Sequence, residues 1–134
     1  MNLVERVKAT QQTVDTFKGR PFADGSADCV QLVLVHARHM GRKIKVPRYG
    51  DVKSAAAALE KLGFRTLGEA MDKHFRRIGQ HEILAGDIVE SLGSNGFSGL
   101  MIAVGNGRTL GFHESVPHCD ILQPLIVTGA WRIE

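Results

Sequence analysis

Cys29 is the residue of this chain best placed to do covalent chemistry. It follows a polar, glycine-bearing stretch, Phe22-Ala23-Asp24-Gly25-Ser26-Ala27-Asp28, and precedes the apolar run Val30-Gln31-Leu32-Val33, so it stands where a loop turns into a helix. The first N–H groups of a helix lack intrahelical partners and carry partial positive charge. They favour thiolate over thiol, and the pKa of Cys29 is expected to be lowered. A cysteine nucleophile also needs a base within hydrogen-bond reach and a group that orients it. Of the six histidines, His36 and His39 follow Cys29 on its own helix and rise roughly 10 Å or more away from it. His74 and His81 fall in a charged helical region and its trailing loop, which leaves His113 and His118. His113, on a predicted strand, is the better placed, so the residues point to Cys29 as nucleophile and His113 as base. The bland readings stand beside this one. Cys29 is also a small, soft side chain suited to a helix–sheet junction, His113 a rim residue beside Glu114, and Asp28 a helix cap rather than an acid. No metal site is expected, because His113, His118 and Cys119 match no recurring zinc spacing and show no fourth ligand. No cofactor is expected either.

The elements that must position these residues divide the chain in two. Leu3, Val7, Val14 and Phe17 recur at near-helical spacing before Gly19 and Pro21. The Cys29 helix starts at Ser26 or Asp28 and runs to about Met40, with Val30, Val33, Leu34, Ala37 and Met40 inward and Gly41 as its stop. Lys45 to Asp51 reads as a loop. Ser54 to Leu62 is a strong helix former ended by Gly63, and Leu67 to Arg77 a short further helix. From Ala85-Gly86-Asp87-Ile88-Val89 onward the apolar runs are short and broken by glycine. Leu100 to Val104, the turn Gly105-Asn106-Gly107 and Arg108 to His113 form a hairpin pattern, and a last strand spans Leu125 to Ile133. Helices followed by an antiparallel sheet make an α+β fold, with the Cys29 helix packed on the sheet.

At 134 residues, residues 1–134 are expected to form one domain. With 43% hydrophobic and 23% charged residues, the balance is that of an ordinary globular protein, and no apolar run is long enough to cross a membrane. The start, Met1-Asn2-Leu3-Val4-Glu5-Arg6, lacks the pattern of a secretory signal, which leads to an expectation of a bacterial-type cytoplasm and of two free thiols at Cys29 and Cys119. The net charge of +3 is partly local. Arg38, His39, Arg42, Lys43, Lys45 and Arg48 form one basic group, and Lys73, His74, Arg76 and Arg77 a second without interleaved aromatics. Both read as solvated faces, so no nucleic-acid partner is expected.

The order of these motifs resembles the NlpC/P60 superfamily of papain-like cysteine peptidases, which cleave peptide bonds in bacterial peptidoglycan. Arg20-Pro21-Phe22 leading to Ala27-Asp28-Cys29, then Arg48-Tyr49, Gly86-Asp87-Ile88-Val89 and Ala130-Trp131-Arg132-Ile133, are similar to a small family of uncharacterised phage and prophage proteins related to that superfamily. The resemblance implies a papain-like fold with Cys29 at the nucleophile position. The superfamily's base is a histidine opening the strand that ends in the glycine turn. Counting back from Gly105-Asn106-Gly107 puts Gly99, or Ser98 with a one-residue shift, at that place. The polar orienting residue of the next strand falls on Gly111, two residues before His113, and period-two alternation puts those two on the same side of a strand. What the resemblance implies is a phage tail-tip or hub protein with a degenerate, structural domain. Its partners would be other tail proteins and peptidoglycan, and its place the host cytoplasm during assembly and then the virion tail. The alternative is an active hydrolase of peptidoglycan peptides with Cys29 as nucleophile.

Overall fold

The computed structural model describes residues 1–92, 98–113, 116–124 and 126–134, and of residues 52–56 and 98 the backbone only. Glu114, Leu125 and the Ser98 side chain, named above, lie outside the described part. Helix α1, Leu3–Phe17, is started by a capping box in which the Asn2 side chain accepts from the Glu5 N–H and the Glu5 carboxylate accepts from the Asn2 N–H. Helix α2, Cys29–His39, has Asp28 as its N-cap, and the chain leaves it at Gly41 with φ +84°. Helices α3, Val52–Lys61, and α4, Leu67–His74, follow. The last is shorter than its pattern predicts, because Arg76 and Arg77 leave the helix to form strand β1.

The strands are β1 Arg76–Arg77, β2 Ile88–Leu92, β3 Ser98–Gly105, β4 Arg108–Gly111, β5 Asp120–Leu122 and β6 Val127–Arg132. They form one six-stranded sheet in the order β1-β6-β2-β3-β4-β5, antiparallel at every pairing. Strands β3 and β4 join through Gly105-Asn106-Gly107, all at positive φ, with Ile102 paired to Leu110. Leu100, Ile102, Leu110, Ile88 and Trp131 meet Leu32, Val33 and Ala37 of α2 in the main core, so the Cys29 helix packs on the sheet as expected.

Helix α1 docks largely through polar groups. Its buried residues are Arg6, Ala9, Thr10, Thr13 and Phe17; of the apolar residues read at helical spacing from the sequence, Phe17 and Val14 pack on the core while Leu3 and Val7 are exposed. The reason lies in its partners. Arg6 donates to Asp87 Oδ1 at 2.7 Å and to the Ile133 carbonyl at 2.8 Å, and Arg132 meets the same fully buried carboxylate at 3.0 Å. Thr13 Oγ1 lies 2.7 Å from His36 Nδ1 and 2.8 Å from His39 Nδ1, and His36 Nε2 lies 2.9 Å from the Gly86 carbonyl oxygen. A carbonyl only accepts, so Nε2 carries the proton and the Thr13 hydroxyl donates to Nδ1. The two buried polar clusters therefore tie α1 and α2 to the loop before β2 and to the C-terminal strand.

Candidate functional site

Asp28 organises the loop that presents Cys29. Its carboxylate accepts from the N–H groups of Gly25 (2.8 Å) and Gln31 (2.8 Å) and from the Tyr49 hydroxyl, which lies 2.7 and 2.8 Å from its two oxygens. Gly25 is at φ +82°, and a Cβ there would sit 2.5 Å from the Tyr49 carbonyl oxygen, so the backbone of the second loop is pressed directly on the first. Asp28 is thus the helix cap that the sequence suggested and also, through Tyr49, the anchor of a loop 21 residues away. No short-range pattern signals that second role. Burial, and next the hydrogen bond to Asp28, hold the Tyr49 hydroxyl well above its ordinary pKa, with the Gln31 side chain acting against them.

Cys29 sits where β3 and β4 part. Ala103 spends its N–H on the Asp87 carbonyl and its own carbonyl on the Gly86 N–H, both on the β2 side. Hydrogen-bonding direction alternates along a strand, so Leu100 and Ile102 are directed toward β4. The pairing of β3 with β4 reaches Ile102 and Leu110 and then stops. The Leu100 N–H, two residues beyond, stands near enough to the Cys29 sulfur to favour its ionised form, as do the N–H groups of Cys29 and Val30 at the helix start. The thiol thus lies against β3, on the helix that packs there.

Contrary to the lowering expected from a helix start, the Cys29 pKa is raised. Burial is the largest cause, and the charge of Asp28 adds to it. The three amides pull the other way and do not compensate. The helix-terminus argument is right in sign and loses to desolvation, which no local pattern reports. Cys119 is fully buried, and burial pushes its thiol up to about 11. Both cysteines are free.

His113 lies two residues past the end of β4, partly buried, and its carbonyl accepts from the Val116 N–H at 3.0 Å. The pairing of β3 with β4 ends at Ile102 and Leu110, so His113 lies beyond the paired part of the hairpin and not on the strand predicted for it. Phe112, between β4 and His113, packs edge-on against Phe22 at 5.8 Å. His36, set aside as a base by its distance along the helix, is a fully buried structural residue.

The two positions where the superfamily resemblance places polar groups differ in the space around them. Among the described residues a Cβ on Gly99 meets nothing within 4 Å, whereas on Gly111 it would lie 2.6 Å from Met101 Cγ. Met101, whose sulfur accepts from the Thr109 hydroxyl at 3.0 Å, has filled the second position. Among the described residues no cluster of His, Cys, Asp or Glu is arranged to hold a metal ion. The second basic group is largely ion-paired: Arg76 with Glu134 at 2.7 Å, and Arg77 with Asp72 at 2.9 Å.

Comparison with known proteins follows the same lines. The chain is similar in structure to the P60 domain of antigen MAP1204 from M. avium subspecies paratuberculosis, with a TM-score of 0.63 and 17% identity over 97% of this chain and 96% of that one. It is similar to RipD of Mycobacterium tuberculosis, described as a non-catalytic NlpC/p60 domain protein adapted to peptidoglycan binding, with a TM-score of 0.60 and 14% identity over 96% of this chain and 98% of that one. The peptidoglycan hydrolase RipB of the same organism gives a TM-score of 0.59 and 17% identity over 99% of this chain and 68% of that one. At these identities the likeness carries the fold, which is NlpC/P60-like. No curated protein matches the chain in sequence. The family model described as a domain of unknown function, DUF6950, matches residues 3–133. With that match over nearly its whole length, the chain belongs to the DUF6950 family, on an NlpC/P60-like α+β fold.

Proposed function

We propose that this chain is a non-hydrolytic NlpC/P60-type domain that acts by binding, with peptidoglycan peptides as its ligand class. The observation that carries this reading is the state of Cys29: its thiol is held protonated by burial and by Asp28, with glycine at both positions where polar partners would stand. Without a general acid for the leaving amine, amide cleavage forgoes a factor of roughly 10²–10⁴. RipD, a neighbour in fold, is described as non-catalytic and adapted to peptidoglycan binding, which supports the same direction. The resemblance to phage and prophage proteins extends the proposal: a tail-tip or hub component that docks on other tail proteins, assembled in the host cytoplasm. The test is sedimentation of the purified protein with peptidoglycan sacculi, together with an assay for amines released from soluble muropeptides. Binding without release is expected. Release that Cys29→Ala abolishes overturns the reading.

A second reading draws on the residues after β4. His113 follows two residues after Gly111, the position where the resemblance places a polar partner, so a hydrolase with His113 as relocated base is the competing reading. It requires His113→Ala and Cys29→Ala each to remove turnover.

A further inference from the structure

We propose that Asn106 is a site of spontaneous, base-catalysed deamidation, which converts the side-chain amide of the β3–β4 turn to aspartate and isoaspartate and loosens that end of the hairpin. The reaction joins two groups of adjacent residues. The Gly107 main-chain nitrogen, once deprotonated, attacks Cγ of Asn106. The new N–Cγ bond closes a succinimide ring, and the Cγ–Nδ2 bond breaks with loss of ammonia. Water, the one co-reactant, then opens the ring at either carbonyl. One opening leaves an aspartate at position 106, the other an isoaspartate, in which the main chain runs through Cβ and Cγ.

Three features of the turn favour this chemistry. Both reacting groups are unencumbered: Asn106 and Gly107 are exposed, and neither the Gly107 N–H nor the Asn106 side chain has a hydrogen-bond partner among the described residues. The turn itself is the cause, since Gly105 pairs with Arg108 across it and the central Gly107 amide is left outside the ladder. The attacking nitrogen is also unshielded. Gly107 has no side chain to cover it, and even a Cβ added there would meet nothing within 4 Å among the described residues. Finally, the Asn106–Gly107 peptide must rotate out of the turn for the nitrogen to reach Cγ, and little holds it. Asn106 is the one non-glycine at positive φ among the described residues, at +56°, glycines flank it on both sides, and the ladder shifts register between Ala103 and Gly105. An exposed turn beside an irregular ladder opens at low cost. The product matters to the fold because isoaspartate lengthens the main chain inside a turn that holds only two residues between the paired Gly105 and Arg108. The same hairpin carries Ile102 and Leu110, both fully buried.

The test is incubation of the full-length protein at pH 7.5 and pH 9, native and in urea, with peptide mass spectrometry at intervals. Isoaspartate is counted by methyl transfer from S-adenosylmethionine with an isoaspartate methyltransferase. Position 106 is expected to convert in the native protein within about tenfold of its rate in urea, as for a turn that opens at little cost, and faster at pH 9 than at pH 7.5. Asn2, whose side chain caps α1 and which precedes a leucine, is the internal control and stays intact. Asn106→Gly keeps a residue at ease in left-handed backbone and removes the amide. It also separates position 106 from Asn95-Gly96, a second Asn-Gly pair that lies outside the described residues. After incubation the melting temperature is expected to fall further in the unmodified sequence than in Asn106→Gly. Conversion of Asn106 in urea but not in the native protein overturns the proposal, since the turn would then protect the amide. Conversion with equal falls in melting temperature for both proteins overturns the loosening of the hairpin.

Discussion

The Thr13 hydroxyl lies 2.7 Å from Nδ1 of His36, and with Nε2 of the same ring 2.9 Å from the Gly86 carbonyl it fixes a neutral imidazole in the core between α1, α2 and β2. Burial lowers the His36 pKa to about 4 from an ordinary 6.5, with the nearby Arg6 and His39 acting in the same direction and Asp87 and the Gly86 carbonyl against it. An imidazole whose folded pKa lies below its unfolded one stays neutral in the fold, while the unfolded chain takes up the proton first as pH falls. Stability therefore drops between about pH 6.5 and pH 4, by about 3 kcal/mol in all. Urea denaturation at pH 7 and pH 4.5 measures this. His36→Gln keeps a donor for the Gly86 carbonyl but cannot titrate, so it flattens most of that difference. An equally steep loss in the variant assigns the acid sensitivity to other groups.

Asp87 carries two arginines, and removing either side of the cluster has unequal consequences. Asp87→Asn leaves Arg6, itself only 7% exposed, without its counter-charge, and is expected to cost about 3–5 kcal/mol. Arg6→Met removes a guanidinium whose Nε already lacks a partner among the described residues, and Asp87 keeps Arg132 and the Leu84 N–H. It should cost distinctly less. Chemical denaturation of both variants checks the order.

Gly99 and Gly111 make opposite predictions for the same substitution. Gly99→His meets no atom of the described residues within 4 Å of its Cβ and is expected to leave the melting temperature nearly unchanged while accelerating Cys29 alkylation at pH 7, because the imidazole then adjoins Leu100, whose N–H favours the Cys29 thiolate. Gly111→His meets Met101 at 2.6 Å and is expected to cost about 1–3 kcal/mol by overpacking. Thermal melts and iodoacetamide kinetics separate the two.

The two thiols should differ sharply in access. Cys119 has no exposed surface and a pKa of about 11, and its backbone is pinned by hydrogen bonds from its N–H to the Arg20 carbonyl and from the Gly19 N–H to its own carbonyl. Titration with a disulfide reagent at pH 7.5 is expected to consume Cys29 slowly and Cys119 only after denaturation. Prompt native reaction of both would show the packing around β5 to be loose.

Much of the architecture was present in the chain itself. Helix periodicity and capping residues marked α1 and α2 to within a residue or so at their ends, and Gly105-Asn106-Gly107 marked the β3–β4 turn, because those signals are local. The order of Asp28-Cys29, Gly86-Asp87-Ile88-Val89 and the glycine turn carried the NlpC/P60 resemblance and located Gly99 where a histidine would stand. Tertiary structure decided the rest. It turned Arg6, Thr10 and Thr13 of α1 inward beside Ala9 and Phe17 and left Leu3 and Val7 outside, because Arg6 and Thr13 find Asp87 and His36 only when segments distant in sequence meet. It set the Cys29 pKa above its ordinary value, because desolvation depends on everything packed around the sulfur while the helix terminus is a property of a few residues. It also joined Tyr49 to Asp28, a hydrogen bond between two loops whose closeness follows from the path of the chain back along α2 and from no pattern within either loop.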